Sequence, residues 1–264
     1  MWFKIPFLKR PPAVAVVRLS GMIASGARGL NDATLAPVLE RAFKRGRPAA
    51  VALVINSPGG SAVQSALIAA RIRRLAAEKS VPVLAFVEDL AASGGYWLAS
   101  AGDEIWVDDS SLVGSIGVIY AGFGFQGLLH KAGVERRVHT AGKSKSFLDP
   151  FGPEKKADIA RLKALQEPIH QSFIAQVKAR RGAKLAKGRD LFTGDIWTGA
   201  QAIEVGLADG IGHLVPKLKE RFGDKVRLLD YDRKKPFWAR FFASAIGEAL
   251  AEVEERALWA RFGL

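Results

Sequence analysis

Cysteine is absent from this chain of 264 residues, which excludes a disulfide framework, a thiolate zinc site and a cysteine nucleophile. That absence suits a reducing compartment without requiring one. Histidine is scarce: His130, His139, His170 and His213 are the full set, and none stands with a flanking acid in a pattern that suggests a Ser-His-Asp triad. No grouping of His, Asp and Glu has metal-ligand spacing, so neither a metal nor another cofactor is expected. The adjacent carboxylates Glu88-Asp89 and Asp108-Asp109 would point to opposite faces of an extended segment, which disfavours a shared acid/base site. Neither G-x-x-x-x-G-K-[ST] nor G-x-G-x-x-G occurs in a strand-to-helix setting. Long apolar runs are missing too, since a membrane span needs about 20 apolar residues. The opening Met1 to Pro12 is aromatic and basic, with its charges and prolines too close together for the apolar core of a signal peptide.

What is present is ordinary for a globular protein: 49% hydrophobic and 25% charged residues, enough for a sizeable core. Lys and Arg outnumber Asp and Glu by 39 to 26, a formal net charge of +13, and such an excess attracts polyanions. Nucleic acid and an anionic membrane surface are the candidate partners. No zinc-finger or RNA-binding signature accompanies the charge, and much of it lies on expected helices (Arg71, Arg73, Arg74; Lys178, Arg180, Arg181). A solvated basic surface is therefore the favoured reading, and nucleic acid is disfavoured.

From Pro12 onward short β-branched runs alternate with helical-period segments, the pattern of an α/β fold with a mainly parallel sheet. Val14 to Leu19 reads as the first strand. Leu35, Val38, Leu39, Ala42 and Phe43 share one face of a helix starting near Asn31 or Asp32 and stopping at Gly46. Val51 to Asn56 is a buried strand ending in Ser57-Pro58-Gly59-Gly60, and Ser61 to Lys79 is a helix. Val81 to Val87 is a second such strand, followed by Ala91-Ala92-Ser93-Gly94-Gly95 leading into another helix. Strands are expected at Glu104 to Val107, Gly114 to Tyr120 and Val134 to His139, and a short helix at Phe125 to Ala132. The helical region Pro153 to Arg181 contains Pro168 and is expected to kink or split there. Phe237 to Leu264 reads as a docked amphipathic helix. The expected organisation is a basic aromatic segment over 1–12, one domain over 13–230 and a helical appendage over 231–264.

The two glycine turns solve one chemical problem together. Acyl transfer needs a nucleophile and two donors aimed at a developing oxyanion, and backbone amides on tight turns can be held there in advance. Gly59-Gly60 and Gly94-Gly95 permit close approach and positive φ. Ser93 would precede a donor at a helix N-terminus, where negative charge is favoured; it could equally be a simple helix N-cap. With no suitable histidine, the base would have to be a lysine. An exposed ammonium, with a pKa of about 10.4, is protonated at neutral pH, so only desolvation or a positive neighbour makes it a base. Lys145, in Ala141-Gly142-Lys143-Ser144-Lys145-Ser146-Phe147-Leu148-Asp149-Pro150, lies on a loop with an apolar pair that could help dry it. Lys143 competes equally on these grounds.

Five ordered blocks carry a resemblance: Asn56-Ser57-Pro58-Gly59-Gly60, Ala91 to Tyr96, Gly114-Ser115-Ile116-Gly117-Val118, Gly142 to Pro150, and Trp197 to Ala202 with Gly206-Leu207-Ala208-Asp209. Together they resemble the signal peptide peptidase A family, the protease IV and SohB-like serine peptidases of the Clp/crotonase superfold, over about Val14 to Phe222. The resemblance implies a Ser-Lys peptidase of ββα superhelical architecture with no cofactor. Ser93 would attack the scissile carbonyl and Lys145 accept its proton. Gly60 and Gly94 would supply oxyanion-hole amides, and Ser115 would orient the lysine. It also implies a homo-oligomer whose sites are completed between subunits, acting on signal-peptide remnants or other hydrophobic polypeptides. Family members commonly begin with a membrane anchor, which is not seen here. The expected location is thus cytoplasmic, or peripheral on the inner face of an anionic membrane. Two other readings differ in class: a crotonase-like acyl-CoA enzyme, which has no need of the serine and lysine, and a noncatalytic membrane- or nucleic-acid-binding assembly protein.

Overall fold

The computed structural model describes residues 11–26, 29–142, 144–232 and 259–264. Strands β1 (Ala13–Ser20), β2 (Ala50–Ser57) and β3 (Val83–Ala92) are buried nearly throughout, as continuous apolar runs must be when both faces of a parallel sheet are covered. Helix α1 (Asp32–Lys44) connects the first two and α2 (Ala62–Lys79) the next two. Asn31 caps α1 by accepting the Thr34 amide at 2.9 Å, and the helix buries Leu35, Val38, Leu39, Ala42 and Phe43, the face read from the periodicity. Burying the Leu, Val and Phe side chains among them stabilises by roughly 1.5–3 kcal/mol each.

After β3 come α3 (Gly94–Ala99), β4 (Glu104–Val107), β5 (Leu112–Gly114), α4 (Gln126–Lys131), α5 (Lys156–Arg181), β6 (Ile196–Thr198), α6 (Gly199–Glu204), β7 (Gly210–Ile211), α7 (Leu214–Phe222) and β8 (Arg227–Asp230). The sheet runs β6-β5-β3-β2-β1-β8, with β4 pairing both β3 and β7. Among these pairings only β5 with β6 is antiparallel. One sheet face, with Val17, Leu19, Leu53, Ile55 and Ala85, packs against α1, α2, α3 and α5. The other, with Val14, Val16, Val54, Leu84 and Phe86, packs against Leu218 of α7. This is a mixed α/β fold with a mostly parallel sheet, as expected.

Three expectations are corrected. Helix α5 is not split: it runs unbroken through Pro168. That stretch is largely exposed, so water can take the Ala164 carbonyl, which proline leaves without a helical donor. Residues Val134 to His139 form no strand; they lie exposed, with no strand among the described residues to complete a ladder. The strand expected over Gly114 to Tyr120 stops at Gly114, because Gly114 and Ser115 both turn to positive φ. The aromatic N-terminal segment and most of the C-terminal amphipathic helix lie outside the described residues.

The far end of α5 is fixed by a buried ion pair. Arg181 is 3% exposed; its Nε donates to Gly206 O at 2.9 Å and its Nη1 to Asp209 Oδ2 at 2.7 Å. Burial alone would raise the Asp209 carboxyl, but hydrogen bonds from Arg181, Lys184 and the Ile105 amide outweigh it and hold it below the ordinary value. A carboxyl lowered by folding contributes stability that is fully present above its unfolded value, near 4, and lost as pH falls through the folded one. Arg181→Met should lower the unfolding free energy by about 2 kcal/mol, since it removes the buried charged donor to Asp209 and leaves that carboxylate only Lys184 and the Ile105 amide. It should also flatten the acid limb of stability below pH ~4; urea midpoints across pH check both.

Candidate active site

Strands β2 and β3 end side by side, and ligands in open α/β sheets bind beyond the carboxyl ends of the strands. At the end of β2 the chain turns through Gly59 (φ +97°) and Gly60 (φ +135°). The turn is pinned to residue 23 on both sides: the Ile23 amide donates to Gly59 O and the Ser61 amide to Ile23 O, each at 2.8 Å. A Cβ on Gly60 would stand 2.1 Å from Ile23 O, so glycine is required by space as well as by φ.

At the end of β3, Ser93 adopts φ +52°, ψ −120°, a conformation costly for a residue with a side chain and held only when its surroundings impose it. The imposing bonds are visible: the Ser93 amide donates to Gly114 O at 2.8 Å, and its carbonyl takes the Trp97 amide at 3.0 Å. Ser93 occupies the N-cap position of α3, yet its side chain makes no capping bond. Ser93 is thus the N-cap by position, while its hydroxyl is left free of the helix it precedes.

The two turns touch. A Cβ on Gly59 would lie 2.8 Å from Ser93 Cβ and from Gly94 N, and one on Gly95 would lie 2.5 Å from Ser57 O. Neither the Gly60 nor the Gly94 amide donates to an acceptor among the described residues. The Gly94 amide belongs to the first turn of α3, where helical amides have no intrahelical partner.

Ser115 joins this group from the end of β5. It follows Gly114, the acceptor of the Ser93 amide, has φ +51°, and donates its own amide to Asp195 O at 2.7 Å. The next carbonyl, of Ile116, is 3.1 Å from His170 Nε2 on α5. In the sequence His170 carries no signal beyond that of a surface or structural histidine; the contact shows what it braces.

Lys145 is the remaining candidate. It is exposed, on a turn where its amide donates to Gly142 O at 3.2 Å, and it makes no hydrogen bond to Ser93 or Ser115. The turn belongs to an excursion between β5 and α5 with its own small framework. Phe125 stacks obliquely on Phe151, with centroids 5.5 Å apart, and Arg136 sits 4.8 Å over the Phe151 ring. Arg136 is also paired with Asp149, whose carboxyl is held low by the Phe151 amide and then by that arginine. The excursion encloses an open cavity of about 870 Å³ lined by Tyr120, Phe123, Val138, Ser146 and Leu148 among others. Ile119, Tyr120, Phe123, Leu128 and Val134 are all exposed there.

Among the described residues no cluster of His, Asp and Glu could hold a metal ion, and no helix is long and apolar enough to cross a membrane. The structure thus brings Ser93, Gly60, Gly94 and Ser115 to one place, and shows no hydrogen bond from Lys145 to any of them within one chain.

Comparison with known proteins shows the family. The family model "Peptidase family S49" matches residues 76–221, more than half of the chain. The chain is 32% identical to the "Serine protease SPPA, chloroplastic" of Arabidopsis thaliana, covering 76% of this chain and 31% of that protein. It is 31% identical to "Protease 4" of Haemophilus influenzae, covering 76% of this chain and 33% of that protein. A higher identity, 50% over 95% of this chain, is to a Brucella melitensis protein named "Na(+)/H(+) antiporter NhaA", of which the chain spans only 37%. That name describes the longer protein and says nothing of the matched part. The segment that carries Ser93, Ser115 and Lys145 lies wholly inside the family match, and the chain belongs to peptidase family S49, the SppA-like peptidases.

Proposed function

We propose that this chain is a serine endopeptidase with a Ser-Lys dyad on a Clp/crotonase-type scaffold. One observation carries the reading: Ser93 is held in a strained backbone conformation with its hydroxyl uncommitted, against a turn whose glycine amide, like that of Gly94, is unpaired among the described residues. Strain of this kind at a serine between strand and helix serves to present a nucleophile.

In this mechanism Ser93 Oγ attacks the scissile carbonyl carbon while Lys145 Nζ takes the hydroxyl proton. The oxyanion collects charge against the Gly60 and Gly94 amides, which need no reorganisation. The lysine returns the proton to the leaving amine, and an acyl-enzyme on Ser93 remains. Water, deprotonated by Lys145, then releases the second product. Ser115 fixes the lysine by hydrogen bonding.

Lys145 can serve as base where water is excluded from it. A second copy of the chain, laid over the exposed apolar residues of the excursion, would supply that enclosure and bring the lysine to a neighbour's serine. The exposed apolar residues of the excursion, Tyr120 and Phe123 among them, suit hydrophobic polypeptides such as signal-peptide remnants. The basic surface suits peripheral contact with an anionic membrane.

The test is covalent capture. A serine-reactive phosphonate with an apolar or small residue before the reactive phosphorus should label the oligomer at Ser93 alone, and peptide mapping identifies the site. Labelling elsewhere, or none while a matched peptide is still hydrolysed, would defeat the proposal. Tight CoA binding without labelling would favour the acyl-CoA alternative.

A further inference from the structure

Strand β3 is longer than its pairing with β2 requires. Ile55 lies opposite Val87, but Ser57, two residues on, lies opposite Ala91, four residues on. Glu88, Asp89 and Leu90 therefore span what one residue of β2, Asn56, spans. The surplus is gathered into an arch, a local irregularity of the kind that re-aims the residues beyond it.

The Asn56 side chain fills that arch. Its Oδ1 accepts the Leu90 amide at 3.2 Å, and its Nδ2 donates to Asp89 Oδ2 at 2.6 Å. Asn56 is itself fixed, because its carbonyl accepts the Gly21 amide at 2.9 Å and it pairs with Ser20 of β1. On the other side of the arch, buried Ser111 donates to Glu88 O at 2.5 Å.

The arch decides which residue meets the glycine turn. With the surplus in place, Gly59 is level with Ser93, in agreement with the 2.8 Å approach of a Gly59 Cβ to Ser93 Cβ. With the register of Val51 to Ile55 simply continued, Gly59 would be level with Ala91. Ser93 would then lie two residues further along the strand, about 6.6 Å away. Placing a nucleophile tolerates far less, since a misplacement of 1 Å can cost about 10²-fold in rate.

We propose that Asn56 is a positioning residue for acyl transfer, its carboxamide holding the Glu88 to Leu90 arch that brings Ser93 and Gly94 level with the Gly59-Gly60 turn. The proposal rests on the reading of Ser93 as nucleophile.

The experiment uses the intact oligomer, with kcat referred to sites titrated by the phosphonate. Asn56→Ala should lose roughly 10²-fold in kcat with KM nearly unchanged, because a displaced oxyanion site is felt in the transition state. A merely structural role would lower the number of titratable sites and leave kcat per site intact, and that result would overturn the proposal. The exchanged pair, Asn56→Asp with Asp89→Asn, can rebuild both bonds: the carboxylate now on β2 accepts the Leu90 amide, and the carboxamide now on the arch donates to that carboxylate. Recovery of kcat to near the wild-type value is expected, and a folded but inactive exchanged protein would overturn the proposal even if Asn56→Ala did not fold. Amide hydrogen exchange separates this inference from the nucleophile reading. The Leu90 amide should exchange faster in Asn56→Ala than in wild type; equal protection would refute the arch assignment whatever Ser93 does. Undiminished turnover in Ser93→Ala would refute the nucleophile reading instead.

Discussion

Ser93→Ala should hydrolyse an apolar fluorogenic peptide at least ~10³-fold more slowly than wild type, and Lys145→Ala should fall by a similar factor, because members of a catalytic unit are not additive. The structure makes the first substitution informative. The Ser93 hydroxyl makes no capping bond, and alanine carries the same Cβ at the same φ. Its removal should therefore leave the unfolding free energy within about 0.5 kcal/mol of wild type, the usual range for side chains that hold nothing. Lys145 is exposed, and its removal should likewise spare the fold. Loss of turnover without loss of stability is the signature sought in both variants. Full turnover in either one removes that residue from the chemistry.

Gly60→Ala is expected to be nearly as severe, by a different route. The new Cβ would meet a backbone oxygen, Ile23 O, at 2.1 Å, and the position has φ +135°. No flexible side chain can yield there, so the turn itself must move and break its two bonds to residue 23. Displacing one oxyanion donor costs about 10²–10³-fold in kcat. Unlike Ser93→Ala, this variant should also melt earlier, since strain at a special φ is among the large destabilising mechanisms. Phosphonate labelling should slow in parallel with peptide hydrolysis. Unchanged kcat at full occupancy would show that the Gly60 amide takes no part.

Much of the fold is legible in the residues themselves. The buried face of α1 can be named in full, because amphipathic period and caps act locally. The two strand–turn–helix units are also read correctly. The end of β3 is not. Ala91 and Ala92 look like the lead-in to a helix, and only the pairing of Ala91 with Ser57 and of Ala92 with Gly114 keeps them in the sheet. The arch at Glu88 to Leu90 is invisible for the same reason: it is defined by a partner strand 32 or more residues away in sequence. Val134 to His139 fails in the opposite sense, a strand-like composition with no strand beside it among the described residues.

The site is partly legible. Local chemistry points to Ser93 and the glycine pairs, but gives Lys143 and Lys145 equal standing. The roles of Gly60 and Ser115 come from the resemblance, which the S49 match supports at the level of family. Asn56 and His170 escape because each works through contacts to a distant carbonyl, carboxylate or amide.

Strand β3 has different neighbours on the same edge along its length: Leu84 to Phe86 pair with β4, while Leu90 to Ala92 pair with β5. The sheet forks there, and Ser93 stands on the shorter tine, whose outer strands β5 and β6 have three residues each. The first half of the strand is anchored in the main core, so thermal breathing of the tine need not loosen the trunk. Ser93 can thus yield slightly while the remaining architecture keeps its shape.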